Sequence, residues 1–207
     1  MDIETIQHGM TALSLVDPDV KNALDEVGLP APRYMPETGF EAFLSIIISQ
    51  QVSTTVAKVI MGRVVSLMDE VTPEAFSEIS EQSLRRAGMS YRKIDYAKGL
   101  SEAVLKGSFD IDGLKTLSDK DAIKTITGLK GLGVWSAEIY LMFSVGRTDI
   151  FPANDLGILV ALERLKGLSE KPTPAQAREI VNRWTPWRSV GALFLWHYYH
   201  QRFSEGE

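Results

Sequence analysis

Apolar residues recur at the spacing of an α-helix along almost the whole chain, and no alternating strand pattern persists. One face of the segment "FEAFLSIIISQQ" carries Phe40, Phe43, Leu44, Ile47 and Ile48. Ser or Thr caps, together with Pro and Gly residues, divide the pattern into roughly ten segments. The spacing therefore predicts an all-α protein without a sheet.

The length of the chain and one Pro-containing stretch bear on domain organisation. The 207 residues suffice for one large domain or for two small ones that share a cleft. The stretch "GLPAPRYMPETG", residues 28–39, is typical of a linker. We expect it to connect an N-terminal piece to the main helical body.

Composition excludes several function classes. The chain has no cysteine, which excludes disulfides, thiolate zinc sites, cysteine-held iron–sulfur clusters and a cysteine nucleophile. A net charge of −5 argues against a nucleic-acid binder that uses its whole surface, but not against one basic or backbone-lined face. Neither a secretory signal nor a membrane span is predicted, so we expect a cytoplasmic protein.

The glycines of "GLKGLG" stand immediately before a helix predicted from Val134. Glycine permits positive φ and leaves no side chain between the backbone and an approaching group. The first N–H groups of a helix lack intrahelical partners and suit a phosphate. The pattern predicts a helix–hairpin–helix that holds a nucleic-acid backbone, and Lys130 favours this interpretation. The alternative is a tight turn between helices with no ligand.

A single carboxylate, Asp155 in "FPANDLG", is predicted in the first turn of the following helix. An Asp at a helix start is most often only a cap. Because Asn154 can cap equally well, we expect Asp155 to be free to face a cleft.

Four separated segments together resemble the helix–hairpin–helix DNA glycosylase superfamily, and most closely its 3-methyladenine DNA glycosylase II branch. They are the hairpin from Leu129 to Ala137, Asp155 after it, "IIISQQVS" at residues 46–53 and "RWTPWRSVGALFLWHYY" at residues 183–199. They occur in the family's order over about residues 40–200. The chain resembles the compact form, without the N-terminal β-rich domain of longer bacterial relatives.

The resemblance implies one glycosylase unit over residues 1–207, with two helical subdomains that flank a cleft. One subdomain comprises residues 1–32 with about 156–207, and the other comprises about 40–150 with the hairpin at 127–137. The implied partner is double-stranded DNA, bound by a monomer in the cytoplasm or on a bacterial nucleoid, with no membrane partner. No cofactor is required, although the family's hairpin suits Na⁺ or K⁺, and no iron–sulfur cluster is expected.

The resemblance also assigns DNA-binding roles. One DNA phosphate would be held by the backbone amides of Gly131, Gly133, Ser136 and Ala137, together with the Ser136 hydroxyl. The backbone carbonyls that would hold a monovalent cation belong to Thr127, Leu129 and Leu132. Gln51 stands where the family inserts a wedge into the gap left by the extruded nucleotide, and its alternative role is to hydrogen bond at the end of a helix.

The implied reaction is removal of an alkylated purine, 3-methyladenine or 7-methylguanine, from a flipped-out nucleotide. Asp155 would stabilise the cationic sugar or orient water. Trp135 occupies the position of the nucleophilic lysine of bifunctional relatives, so no Schiff base and no strand cleavage are expected. The base pocket is predicted to contain Trp135, Trp196 and Tyr91, through stacking and cation–π attraction. Packing in the core is the alternative role of these rings.

Two other functions remain open at this point. One is a helix–hairpin–helix module that binds DNA without catalysis. The other is a glycosylase for etheno or deaminated bases. An oxidised-purine glycosylase is less favoured because such enzymes usually carry the hairpin lysine.

Overall fold

A computed structural model of the chain describes residues 1–33, 35 and 39–203. Over these residues the chain is helical and has no strand, which confirms the predicted all-α fold; twelve α-helices form where roughly ten were expected. Short 3-10 helices cover Asp112–Thr116 and Val181–Trp184. The α-helices are α1 (Ile3–Val16), α2 (Pro18–Val27), α3 (Gly39–Ser49), α4 (Thr54–Val65), α5 (Pro73–Glu78), α6 (Glu81–Ala87), α7 (Tyr91–Leu105), α8 (Asp119–Thr127), α9 (Val134–Phe143), α10 (Leu156–Lys166), α11 (Pro174–Ile180) and α12 (Arg188–Phe203).

The chain divides into two compact units, residues 1–34 with 141–207 and residues 35–140. The boundary at which the chain returns to the first unit therefore lies between residues 140 and 141. The sequence predicted this boundary at about residue 150. The loop that precedes α10 is bonded to α12, because Ser189 Oγ accepts from Ile150 N at 2.9 Å and donates to Ile150 O at 3.0 Å. These bonds hold the loop in the first unit.

The first unit has an apolar core between α1, α10 and α12. Its fully buried side chains include Ile6, Met10, Leu13, Leu162, Phe194 and Leu195. Burying each such side chain contributes roughly 1.5–3 kcal/mol. This core fixes α10 and α12 to each other, and the start of α10 carries Asp155.

A buried carboxylate joins three elements of the first unit. Asp17 is 0% exposed and caps α2, and it accepts the indole N–H of Trp184 at 2.7 Å. Lys166 at the end of α10 forms an ion pair with it at 2.5 Å. Burial raises the pKa of Asp17, but the bonds from Lys166 and Trp184 outweigh this and hold the pKa below its ordinary value.

The second unit is organised around α3, which is apolar on nearly all sides. The ring of Phe43 stacks on Tyr140 of α9 at 4.1 Å between centroids and meets Phe109 edge-on at 5.5 Å. Burial raises the pKa of Tyr140 to about 12. Because α9 packs on α3 through these rings, the C-terminal end of α3 has a fixed place beside the hairpin.

Candidate functional site

The predicted helix–hairpin–helix is present in the second unit, where residues 128–133 join α8 to α9. Gly131 has φ +89°, and a Cβ there would lie 2.2 Å from the ring of Tyr96. Gly133 has no atom within 4 Å of such a Cβ and is exposed. Glycine is thus required by the fold at Gly131, whereas at Gly133 it leaves open space in front of the helix.

The amides at the start of α9 are arranged for an anion. Within the part of the chain that the structure describes, the N–H groups of Gly131, Gly133 and Ser136 donate to no backbone oxygen. The N–H of Ala137 donates to Gly133 O at 3.1 Å. The prediction that Ala137 offers its amide is therefore wrong, because it is the first residue whose N–H reaches back into the helix.

Other hairpin residues have local partners. Lys130 is exposed, and its Nζ lies 2.9 Å from Asp95 Oδ2. A phosphate that bound Lys130 would compete with this carboxylate. Among the carbonyls assigned to a cation, Leu129 O already accepts from Leu132 N at 3.2 Å and keeps one lone pair, while Thr127 O is still a candidate ligand. The cation stays a prediction.

The end of α3 lies beside the hairpin, through a residue that the sequence analysis missed. Gln50 Nε2 donates to Gly131 O at 2.8 Å. Gln51 is exposed and has φ +55°, the one positive φ among non-glycine residues in the described ranges. Its Oε1 accepts from Arg92 Nη2 at 3.3 Å. A left-handed residue of this kind costs roughly 1–3 kcal/mol and is typical of functional sites.

These side chains line a cavity of about 310 Å³. Its walls are Gln50, Gln51, Arg92, Lys93, Tyr96 and Gly131. Lys93 Nζ donates to Ile48 O at 2.7 Å. Burial lowers the pKa of Lys93, and the charge of Arg92 lowers it further. Two cationic side chains therefore lie next to the predicted wedge in a protein whose net charge is −5.

Asp155 is itself the N-cap of α10, in the first unit. Its backbone is extended, with φ −80° and ψ 120°, and its Oδ1 accepts from Ile158 N at 3.1 Å. The expectation that Asn154 caps the helix is therefore wrong. Asn154 is exposed, and Asp155 is half-buried.

The capping oxygen of Asp155 has a second donor. Trp196 Nε1 on α12 donates to Oδ1 at 3.1 Å. A Cβ on Gly157 would lie 3.2 Å from Oδ1 and 3.7 Å from Trp196 Cδ1, so a small residue at 157 leaves room for this pair. The structure thus brings together two of the predicted site residues, Asp155 and Trp196.

Two further residues of the first unit lie beside Trp196. The Arg33 guanidinium lies over the Trp196 ring, with Cζ 5.1 Å from its centroid, and over Phe143 at 4.8 Å. The ring centroids of Phe143 and Trp196 are 6.0 Å apart, and the two ring planes are inclined at 35° to each other. The sequence analysis missed both Arg33 and Phe143. Arg33 stands in the Pro-containing stretch without any periodicity that could have revealed it.

The remaining predicted pocket residues, Trp135 and Tyr91, belong to the second unit. Trp135 is half-buried near the start of α9. Tyr91 is 65% exposed at the start of α7, with the Arg85 guanidinium 4.3 Å above its ring. Their participation in a base pocket stays a prediction.

Metal-suited clusters of acidic and histidine side chains and membrane-spanning helices are both absent from the residues that the structure describes. No group of three or more His, Asp or Glu side chains suited to a metal ion occurs among them. None of their helices has the length and apolarity needed to cross a bilayer.

The chain is similar to known repair proteins. Residues 44–186 match the family model of the HhH-GPD superfamily base excision DNA repair protein. DNA-3-methyladenine glycosylase 1 of Schizosaccharomyces pombe is 30% identical over 209 residues, covering 95% of this chain and 92% of the relative. A putative DNA-3-methyladenine glycosylase of Bacillus subtilis is 27% identical, covering 84% of this chain and 64% of the relative's length.

The fold has a solved counterpart as well. The structure of the Schizosaccharomyces pombe 3-methyladenine DNA glycosylase in complex with abasic DNA superposes with a TM-score of 0.83 at 29% identity. The match covers 91% of this chain and 95% of that one.

Proposed function

We propose that this chain, which belongs to the HhH-GPD superfamily of base excision DNA repair proteins, is a DNA glycosylase that excises alkylated purines. The substrates are 3-methyladenine and 7-methylguanine in double-stranded DNA. The observation that carries the proposal is the Asp155 carboxylate, held by the Trp196 indole N–H at 3.1 Å beside aromatic rings. The names of the similar glycosylases support the same substrate class.

The proposed reaction uses the positive charge that the alkylated base already carries. The C1′–N bond breaks with its electron pair passing to the base, which leaves as a neutral molecule. The sugar becomes an oxocarbenium-like cation, and the carboxylate of Asp155 stabilises it by charge. A water oxygen then bonds to C1′, and its proton passes to Asp155 or to solvent.

Two N–H donors fix the orientation of this carboxylate. Ile158 N and Trp196 Nε1 both donate to Oδ1, so rotation of the side chain would break two hydrogen bonds. A preorganised charge costs no reorganisation when the sugar cation forms. The arrangement therefore suits electrostatic stabilisation.

The hairpin supplies the proposed DNA contact. The amides of Gly131, Gly133 and Ser136 lie at the positive end of α9 and suit a backbone phosphate. Such a contact carries no sequence information. The protein would then bind many sequences with similar affinity and depend on the flipped base for selection.

We expect a monofunctional enzyme that needs no cofactor. We also expect it to act as a monomer in the compartment that contains the cell's DNA. Trp135 stands at the position of the lysine in bifunctional relatives, and an indole cannot form a Schiff base with the sugar. The monovalent cation at the hairpin carbonyls would add to phosphate binding without taking part in the chemistry.

Base release from methylated DNA tests this function. We expect chromatography to find free 3-methyladenine and 7-methylguanine, while the abasic strands stay intact until alkali is added. Borohydride present during turnover should trap no protein–DNA adduct, with a lysine-containing bifunctional glycosylase as the positive control. DNA binding without base release would contradict the glycosylase assignment, and a trapped adduct would contradict the monofunctional one.

A further inference from the structure

The positively charged side chain of Arg33 lies against two aromatic rings of the first unit. The Arg33 guanidinium is 4.8 Å from the centroid of Phe143 and 5.1 Å from that of Trp196. Trp196 is also the residue that donates to Asp155. One of the two rings beneath Arg33, that of Trp196, thus belongs to the predicted pocket for the charged base.

The backbone holds Arg33 in place, although residues 28–33 form no helix. Arg33 N donates to Met1 O at 3.2 Å, and Arg33 O accepts from the Met1 amino group at 2.7 Å. These bonds fix the start of the side chain. From this backbone position the guanidinium reaches both rings.

The charge of Arg33 is coupled to the site. Partial burial lowers the pKa of Arg33, and the negative charge of Asp155 raises it. A guanidinium remains protonated under all ordinary conditions. Although Arg33 is exposed, its positive charge lies over the Trp196 ring and therefore acts on any base that enters beside that ring.

We propose that Arg33 is a specificity-determining residue that shifts the site towards neutral lesions and away from cationic ones. The inference rests on the proposed glycosylase function and concerns the same site. It concerns the choice between alkylated purines and neutral bases such as hypoxanthine or ethenoadenine.

The change of charge on the base in the two reactions shows which class of lesion Arg33 favours. A neutral base receives the electron pair of the C1′–N bond and develops negative charge, which the guanidinium offsets. A cationic base starts with a positive charge, which the guanidinium repels, and it becomes neutral on leaving. Arg33 therefore lowers the barrier for neutral lesions and weakens the binding of cationic ones.

Single-turnover base release from duplexes with one 7-methylguanine or one hypoxanthine tests the proposal. The quantity measured is the ratio of the two rates in the wild-type protein and in Arg33→Gln, Arg33→Met and Arg33→Lys. We expect the Gln and Met variants to raise the ratio of 7-methylguanine to hypoxanthine release about tenfold. Arg33→Lys retains the charge but loses the planar group that lies over the rings, so its ratio should change less than that of the two neutral variants.

Melting temperatures of all variants serve as the folding control. Two different neutral substitutions are compared, so that an effect peculiar to one side chain can be recognised. Equal changes on both lesions would overturn the proposal, as would a lysine variant that behaves like the neutral ones. A wild-type protein that releases 7-methylguanine but no hypoxanthine would also overturn it. A wild-type protein that releases neither base contradicts the proposed function itself, and that result is distinct from an unchanged ratio.

Discussion

Asp155 performs a structural and a proposed chemical role with one carboxylate. Its Oδ1 caps α10 through Ile158 N and accepts from Trp196 Nε1. Trp196 likewise combines two properties, an N–H donor for the carboxylate and an aromatic face below the Arg33 guanidinium. Conservative substitutions can separate these properties because each changes one of them at a time.

Trp196 is tested with two variants. Trp196→Phe keeps an aromatic face but removes the donor to Asp155, and should slow release of cationic and neutral bases equally, by about tenfold. Trp196→Ala also removes cation–π attraction of roughly 0.5–2 kcal/mol, so the loss should be larger for 7-methylguanine than for hypoxanthine. Single-turnover rates measure both. Equal losses on the two lesions in Trp196→Ala would leave Trp196 as a donor to Asp155 with no cation–π role in the base pocket.

At the scale of elements, the hairpin between α8 and α9 uses its glycines differently. Gly131 lies against the ring of Tyr96 with positive φ, and Gln50 bonds to its carbonyl. Gly133 has open space before it. The first serves the fold and the second serves access to the helix amides, so the two positions form a matched pair for mutation.

We expect Gly131→Ala to destabilise the protein and Gly133→Ala to leave its stability unchanged. Gly131→Ala should lower the free energy of unfolding by about 1–2 kcal/mol from backbone strain. The added Cβ also meets the Tyr96 ring, so the total loss should be larger. Gly133→Ala should leave urea denaturation unchanged and weaken DNA binding by a similar factor on every sequence. A Gly133→Ala protein with wild-type affinity would argue against a phosphate at these amides.

The ends of α2 and α10 meet at Asp17, which makes the first unit sensitive to acid. The folded-state pKa of Asp17 is depressed, so its contribution to stability is present above the ordinary pKa of 3.8. That contribution is lost as the pH falls through the lower folded-state value. Neutral pH therefore retains the full effect.

Asp17→Asn keeps only one acceptor oxygen, so it can retain either the cap on Oδ1 or the bond from Trp184 to Oδ2, and it leaves Lys166, whose side chain is 11% exposed, with Asp19 alone. Breaking a buried pair of this kind should cost about 3 kcal/mol at neutral pH. Urea denaturation between about pH 7 and about pH 3 should show a shallower acid dependence in the variant than in the wild type. Parallel stability curves for the two proteins would mean that Asp17 makes no charge-dependent contribution.

At the scale of the whole molecule, the sequence predicted the features that depend on residues close together along the chain. Helical spacing gave the all-α fold, and "GLKGLG" located the hairpin between α8 and α9. The sequence did not identify the cap of α10, because the choice between Asn154 and Asp155 depends on a loop that Ser189 fixes from α12. Arg33 joins Trp196 and Phe143 only through tertiary contacts, which no spacing in the sequence records.

The central claim is that the negative charge of Asp155 drives base release. Asp155→Asn tests it most directly, because asparagine caps a helix as well as aspartate and can still accept from Ile158 N and Trp196 Nε1. Asn154→Ala is the matched control, since Asn154 is exposed and caps nothing. Melting temperatures and DNA affinities of both variants should stay close to those of the wild type.

The deciding measurement is the single-turnover rate of 3-methyladenine release from duplex DNA by these two variants and the wild type. Loss of a preorganised charge is typically worth about 3–4 kcal/mol, so Asp155→Asn should be roughly a hundred- to a thousandfold slower. Asn154→Ala should release the base at the wild-type rate. An Asp155→Asn protein that also releases 3-methyladenine at the wild-type rate would contradict the account, and Asp155 would then be only a helix cap.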